Sequence, residues 1–366
     1  MKLAIVRQRY TPFGGAERFV ARALDALRAQ GVTVDIVARH WQGDSQGVVC
    51  NPFFLGRTWR DWGFARCVQK LIESGRYDLV QSHERIPGCH IYRAGDGVHA
   101  TWLELSGKPW RFSLWHRYTL AAESTLFRHP DLQAVICNSR MVADDIARRF
   151  PVAAGKLEII YNAVDGAHFH PGLRAEHRHA VRTKFGAGKG APVILFVGAG
   201  FERKGVATLI EALVRMTTPG AEAWIVGRDK HRARYQRLAE RLGIAGRVRF
   251  LGPQTDVRPF YAAADLFCLP TIYDPLPNAA LEALACGLPV VTTETCGAAE
   301  LIRPKGNGAI CVARDPAALA ARLDELLGLD QRTLSENARE SVAGLTPEAM
   351  AERLLALYRR ILLGAF

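Results

Sequence analysis

Short apolar runs recur along the chain, and the stretches between them carry apolar positions at helical spacing. Leu3-Ala4-Ile5-Val6 reads as a first strand, followed by a glycine turn and a helix over about 16–30. Thr33–Ala38 continues the series, then Asp78–Gln81, His90–Ala94 and Ala134–Cys137. Asn138-Ser139 is a plausible N-cap pair for a helix running through Phe150, and Leu157–Tyr161 closes this half. A second series starts at Val193–Val197. Strands are predicted at Ala223–Val226, Val248–Leu251, Leu266–Leu269 and Pro289–Thr292. Helices are predicted around Gly205–Val214, Arg234–Leu242, Pro259–Ala264 and Ala279–Cys286. Asp315–Leu327 and Pro347–Leu363 are amphipathic by spacing.

Strands alternating with helices predict βαβ units and parallel sheets, so the fold class is α/β with two Rossmann-like domains facing one another. Residues 1–171 form the first domain and 192–345 the second. The interval 172–191 is polar, basic and glycine-rich and reads as a linker, with a short helix inside it. A length of 366 residues suits two domains, each burying its own core. The apolar run at the N-terminus is too short for a signal-peptide core, and no run approaches the roughly 18–20 residues that span a bilayer. A soluble or peripheral, cytoplasmic protein is expected.

The net charge of +12 invites a nucleic-acid reading, so its distribution matters. Residues 1–180 carry 24 Lys+Arg against 17 Asp+Glu, and residues 181–366 carry 24 against 19, summing to the 48 and 36 of the whole chain. The excess is spread evenly, without a basic arm, zinc-finger spacing or RNA-recognition aromatics, so no nucleic-acid partner is expected. A diffuse positive field suits an anionic small substrate or an anionic membrane surface. The eight cysteines lie far apart with no C-x-x-C, which argues against a zinc site or a disulfide framework and for reduced cysteines in the core. Six of the seven tryptophans lie in the first half, and the stretch 102–117 interleaves Trp102, Trp110 and Trp115 with Lys108, Arg111, His116 and Arg117. That composition fits a membrane-interface segment, an acceptor-binding loop or core aromatics.

Three turns carry candidate chemistry. Gly14-Gly15 lies between the first strand and the first helix, where glycines let backbone amides approach a phosphate; the pair lacks the full dinucleotide fingerprint. Gly198-Ala199-Gly200 leads into Arg203-Lys204-Gly205 at the start of a helix, placing two cations where a diphosphate would sit. The third turn, Asp274-Pro275-Leu276-Pro277-Asn278, follows a strand. Its helix begins near Asn278 and Ala279, whose amides would face a donor phosphate, and carries Glu282 about one turn in among apolar neighbours. In the N-terminal half, Gly95-Asp96-Gly97-Val98-His99 follows a strand, and His83 follows the preceding one. Asp96, set between two glycines, is a candidate polar group at the expected crevice. For the two histidines a satisfied loop residue is the plainer reading.

These residues resemble family 4 glycosyltransferases of GT-B fold, most closely the group that adds sugars to the lipopolysaccharide core. The likeness runs from Gly14-Gly15 through Asn162-Ala163-Val164-Asp165, Arg203-Lys204-Gly205 and the acids Asp274 and Glu282, with seven residues between them, to Gly287-Leu288-Pro289. It implies two Rossmann-like domains facing a central cleft, with acceptor binding in the first, nucleotide-sugar binding in the second, and a C-terminal helix (346–366) crossing back onto the first. It implies donor binding by Gly14, Gly15, Arg203, Lys204, Asn278, Ala279 and Glu282, with Glu282 on the ribose. Asp274 would contact the donor hexose, beside Asp96 and His99 as the other catalytic candidates. Three positions depart from the usual pattern: Asp274 stands for Glu, Ala163 for Gly and Pro277 for Gly.

The expected function is retaining, metal-independent transfer of a hexose from a nucleoside diphosphate sugar, a UDP-sugar favoured. The acceptor is a lipopolysaccharide-core or other glycolipid, at the cytoplasmic side of an anionic inner membrane and with no cofactor. A GT-B-fold nucleotide-sugar epimerase is the alternative among enzymes, and a basic nucleic-acid-binding protein the alternative outside them. A nicotinamide oxidoreductase is disfavoured by the missing glycine fingerprint.

Overall fold

Continuous apolar runs bury on both faces only in a parallel sheet covered by helices on each side, and both halves of the chain are built this way. The computed structural model describes residues 2–10, 31–41, 47–188, 190–304 and 306–363. The helix expected over about 16–30 and the Gly14-Gly15 turn lie outside the described residues. The chain divides into two compact units, 1–163 with 347–366, and 164–346.

In the first unit, strands β1 (Lys2–Val6), β2 (Thr33–Ala38), β3 (Gly47–Val49), β4 (Leu79–Ser82), β5 (Ile91–Arg93), β6 (Ala134–Cys137) and β7 (Leu157–Ile159) form one sheet. Their order is β3-β2-β1-β4-β5-β6-β7, and every pairing is parallel. In the second, β8 (Val193–Val197), β9 (Glu222–Val226), β10 (Val248–Gly252), β11 (Leu266–Leu269), β12 (Val290–Thr293) and β13 (Gly308–Cys311) lie in the order β10-β9-β8-β11-β12-β13, again parallel throughout. Each order reverses once, between β1 and β4 and between β8 and β11. Such a reversal opens a crevice at the strands' C-terminal ends.

Helices of the first unit are α1 (Gly56–Glu73), α2 (His99–Ser106), α3 (Leu114–Arg128) and α4 (Arg140–Arg149), the last capped by Ser139 Oγ, which accepts from Val142 N. Those of the second are α5 (Leu173–Lys184), α6 (Val206–Arg215), α7 (Arg232–Arg241), α8 (Arg258–Ala263), α9 (Asn278–Ala285), α10 (Pro316–Leu327) and α11 (Gln331–Ser341). The final helix, α12 (Pro347–Leu362), returns to the first unit. Its Met350, Leu354, Leu357, Tyr358 and Ile361 recur at helical period and pack against Leu3, Ile5, Leu79 and Ile91. Tyr358 also donates to Gln81 Oε1 at 2.6 Å.

Two sequence-based expectations are corrected here. Residues 172–191 contain α5, a helix integral to the second unit. Arg174, Arg178 and Arg182 stand four residues apart on one face. All three bind Asp265; Arg178 and Arg182 also donate to the Ala263 carbonyl at the C-terminus of α8. The basic composition that resembles a linker is thus one arginine face docked on a helix end. Second, Cys50 and Cys67 form a disulfide, with Cα atoms 5.9 Å apart. Packing of α1 on the sheet brings the residue after β3 to the fourth turn of the helix, which their 17-residue separation does not reveal. The other six cysteines are free, and five of them are buried.

Candidate active site

The crevice of the second unit collects most of the predicted residues. Strand β8 ends at Val197, and the chain turns through Gly198-Ala199-Gly200 toward α6. Gly205 has φ +74°, and a Cβ there would collide with the Pro270 carbonyl oxygen, so only glycine lets this turn lie against the residue that follows β11. Gly227, after β9, meets the Gly198 carbonyl in the same way. Asp229 fixes the turn by accepting from Phe201 N at 2.8 Å.

Because β8 and β11 are neighbours, their loops meet although about 70 residues separate them. Asp274 Oδ2 accepts from Arg203 Nη1 at 3.0 Å and from Lys204 Nζ at 2.9 Å. The main chain supports both sides: the Arg203 carbonyl accepts from Ile272 N at 2.8 Å and Thr271 Oγ1 at 3.0 Å, and Arg203 Nη1 also donates to the Tyr273 carbonyl. Asp274 is itself held between its N–H on the Thr295 carbonyl and its own carbonyl accepting from Gly297 N. The carboxylate is buried, whereas Arg203 is more than a third exposed. The result is a fixed carboxylate under two cations, with part of the positive charge facing outward.

Pro277 precedes α9 in extended conformation, and the helix starts at Asn278 and Ala279. Both are half-buried, as is Glu282 one turn later. Glu282 Oε2 accepts from Tyr261 Oη at 2.9 Å, and the same hydroxyl lies 3.1 Å from the Ala279 carbonyl. Burial, aided by the Glu282 charge, pushes the Tyr261 phenol well above its ordinary range, so it stays a donor. Tyr261, Asp229 and Thr271 were absent from the sequence-based set. Tyr261 sits on α8, and only the packing of that helix shows which carboxylate its hydroxyl meets.

In the first unit Asp96 is exposed at the tip of the turn after β5, between Gly95 and Gly97. His99 is buried at the start of α2. Its Nε2 lies 3.0 Å from His116 Nδ1, and its ring packs edge-on against Trp115. Asp96 and His99 are therefore near in sequence but differ sharply in exposure. His83 N donates to the Val6 carbonyl and its Nε2 lies 3.1 Å from Gln81 Nε2. Arg93 is buried and donates to Asn162 Oδ1 at 2.7 Å; burial and the nearby Arg7 lower it to about 10. The predicted residues of the two units are thus described as two groups, and Gly14 and Gly15 lie outside the described residues. Among the described residues no three His, Cys, Asp or Glu side chains converge as metal ligands.

Burial, reinforced by the charges of Arg85, His116 and Arg57, pushes His99 down to about 3. An unfolded histidine titrates near 6.5, so between these values the unfolded chain binds the extra proton and stability falls as pH falls. Acidification from pH 7 to 5 is expected to remove about 2 kcal/mol of stability through this side chain. A His99→Gln variant should flatten the dependence of melting temperature on pH over that range; an unchanged slope would exclude His99 as its source.

Residues 13–168 match the family described as Glycosyltransferase Family 4, and residues 177–341 match Glycosyl transferases group 1. The chain belongs to the family 4 glycosyltransferases of GT-B fold. The lipopolysaccharide glucosyltransferase WaaG of Escherichia coli is 27% identical over 322 residues, 85% of each chain. A crystal structure of WaaG superposes with a TM-score of 0.82 at 26% identity, covering 96% of this glycosyltransferase and 98% of that chain. The lipopolysaccharide core biosynthesis glycosyltransferase LpsE of Rhizobium meliloti is 37% identical over 179 residues, a match spanning 48% of this chain and 52% of LpsE. The structure of Anabaena HepE in complex with UDP-glucose has the same fold, with a TM-score of 0.73 at 20% identity over 98% of this chain and 99% of HepE.

Proposed function

We propose that this glycosyltransferase moves a hexose from a nucleoside diphosphate sugar to a lipopolysaccharide-core or other glycolipid hydroxyl, with retention of anomeric configuration. The observation that carries the reading is the convergence of Arg203, Lys204 and Asp274 at the sheet reversal of the second unit, beside a helix that bears Glu282. WaaG is named a glucosyltransferase and HepE holds UDP-glucose, so UDP-glucose is the favoured donor.

In this reading Glu282 accepts from the ribose hydroxyls, while Asn278 and Ala279 offer helix N-terminal amides to the diphosphate; Gly14 and Gly15 are further donor-binding candidates by the family resemblance. Arg203 and Lys204 stabilise the departing diphosphate, the role a metal ion fills in other transferases. The sugar C1–oxygen bond to phosphate breaks as the acceptor oxygen bonds to C1 on the same face, and the leaving phosphate takes the acceptor proton. Asp274 orients the hexose and its two cations together. Asp96, exposed in the acceptor-binding unit, is the further catalytic group, orienting the acceptor hydroxyl or stabilising positive charge on the sugar ring. His99 keeps its ring on His116 and Trp115.

The proposed site of action is the cytoplasmic leaflet of an anionic membrane, held peripherally. Among the described residues no helix is long and apolar enough to cross a membrane. Phe53, Leu55, Trp59 and Trp62 around α1 are exposed, as are Leu114 and Phe112, the last at 97%. Trp115 joins the two groups: its Nε1 donates to Asp61 at 2.7 Å, and Arg57 stacks on its ring. Aromatic and basic side chains exposed together suit an anionic interface. Phe112→Ser with Leu114→Ser is expected to cut binding to phosphatidylglycerol vesicles by about tenfold or more, with transfer to a deacylated acceptor unchanged; vesicle binding at the original level would remove this part of the reading.

Incubating UDP-glucose with core-truncated lipopolysaccharide and reading the new linkage by proton NMR tests the reaction. An α-linked glucose is expected. A β-linkage would overturn retention. A sugar isomerised without acceptor would indicate an epimerase, and salt-sensitive nucleic-acid binding without nucleotide-sugar affinity would indicate the non-enzymatic alternative.

A further inference from the structure

Asp96 stands at the tip of a four-residue turn, Gly95–Val98, that leaves a strand of only three residues. Gly95 N donates to the Arg93 carbonyl at 2.9 Å and Gly97 N to the Ala94 carbonyl at 3.1 Å, and Gly97 has φ +67°. Side chains from outside the turn grip it. Asn138 Nδ2 reaches the Gly95 carbonyl at 3.5 Å, and two further side chains make the closer contacts. Glu123, on α3 and 1% exposed, accepts from His99 N at 2.9 Å and 3.2 Å through its two oxygens, and from Ala100 N at 3.3 Å. Arg85, in the loop after β4, donates through Nε to Glu123 Oε1 and through Nη2 to the Gly97 carbonyl, both at 2.8 Å.

The guanidinium therefore fixes the carbonyl on one side of the Asp96 turn, the carboxylate fixes the amides on the other, and the two are bonded to each other. Each partner comes from a different element, so the turn is tied to both α3 and the β4 loop. A buried carboxylate satisfied by backbone amides and a guanidinium is strongly directional. Replacing either group leaves donors or an acceptor without a partner and frees the turn. We infer that Glu123 and Arg85 are positioning residues for the transfer reaction, holding the Gly95–Val98 turn and with it the Asp96 carboxylate in its catalytic position. This rests on the reading of Asp96 as a catalytic group.

A positioning role predicts dependence on Asp96, whereas a helix cap that only maintains the fold does not. Full-length Glu123→Gln, Arg85→Lys and Asp96→Asn, and the two double variants with Asp96→Asn, would be assayed with UDP-glucose and core-truncated lipopolysaccharide. Glu123→Gln and Arg85→Lys are each expected to lower kcat by about 10- to 100-fold, with the donor KM within twofold of the parent. In the Asp96→Asn background each should lower kcat by less than twofold more. Circular dichroism melts identify folded variants, and Arg85→Lys, which keeps the charge beside Glu123, decides the matter if Glu123→Gln does not fold. Folded variants with kcat within threefold of the parent, or losses that multiply in the Asp96→Asn background, would overturn the inference while leaving Asp96 in place. Parental turnover by Asp96→Asn would instead remove the catalytic reading of Asp96, and the inference with it.

Discussion

Lys204→Ala is expected to lower kcat by about 100- to 1,000-fold while the protein remains folded. The ammonium lies 2.9 Å from Asp274 Oδ2 on a side chain that is mostly buried, so its charge acts where water screens it poorly. In the proposed reaction negative charge grows on the departing diphosphate, and a fixed cation stabilises it most in the transition state. Ground-state binding should change less, because Arg203 and the α9 amides remain. The variant also leaves Asp274 with Arg203 as its remaining cation, at 3.0 Å, a loss of about 1–2 kcal/mol in stability. Packing is a separate matter: a Cβ on Gly198 would come within 2.7 Å of Lys204 Cδ, so the aliphatic stem fills this space. Lys204→Met keeps the stem and removes the charge. Equal kcat losses in the two variants would assign the effect to charge; a methionine variant near the parental rate would assign it to packing.

Glu282→Gln is expected to weaken donor binding by about 30- to 100-fold with a smaller change in kcat, measured as KM for UDP-glucose and as its dissociation constant. A carboxylate accepts from two vicinal hydroxyls at once, while the amide turns one acceptor into a donor and leaves a hydroxyl opposed. Tyr261 holds Glu282 Oε2 at 2.9 Å from within the protein. Tyr261→Phe should therefore give a weaker version of the same defect, roughly threefold to tenfold in donor KM, because the carboxylate survives but loses its anchor. A loss confined to kcat in Glu282→Gln would move Glu282 from nucleotide binding to the reacting centre.

Most strands of both sheets were readable in the sequence because they are short, largely apolar runs, such as Val193–Val197 or Ala134–Cys137; β3 and β13, short and opening on glycine, were not. Helices α6 and α12 were readable because their buried residues keep a helical period. Helix α1 was not. It opens on a glycine, exposes Trp59 and Trp62, and scatters arginines around its circumference, so no apolar stripe marks it. Residues 172–191 misled for a related reason, since arginines spaced four apart look like solvated charge until Asp265 is placed beside them.

At the site, residue type and position after a strand singled out Arg203, Lys204, Asp274 and Glu282. Spacing alone could not show that Asp274 accepts from both cations, because that contact depends on β8 lying next to β11. Glu123 and Arg85 were invisible for the same reason. They are 38 residues apart, on a helix and a loop, and only the folded turn between them gives them a common task.

The central claim is that the second unit binds a nucleoside diphosphate sugar around Asp274–Glu282. Calorimetric titration of UDP-glucose into the parent protein and into folded Glu282→Gln tests it most directly. The prediction is one site per chain in the parent, with a dissociation constant below about 1 mM, weakened by at least about thirtyfold in the variant. No binding of UDP-, ADP- or GDP-sugars by the folded parent, or equal affinity in parent and variant, would contradict it.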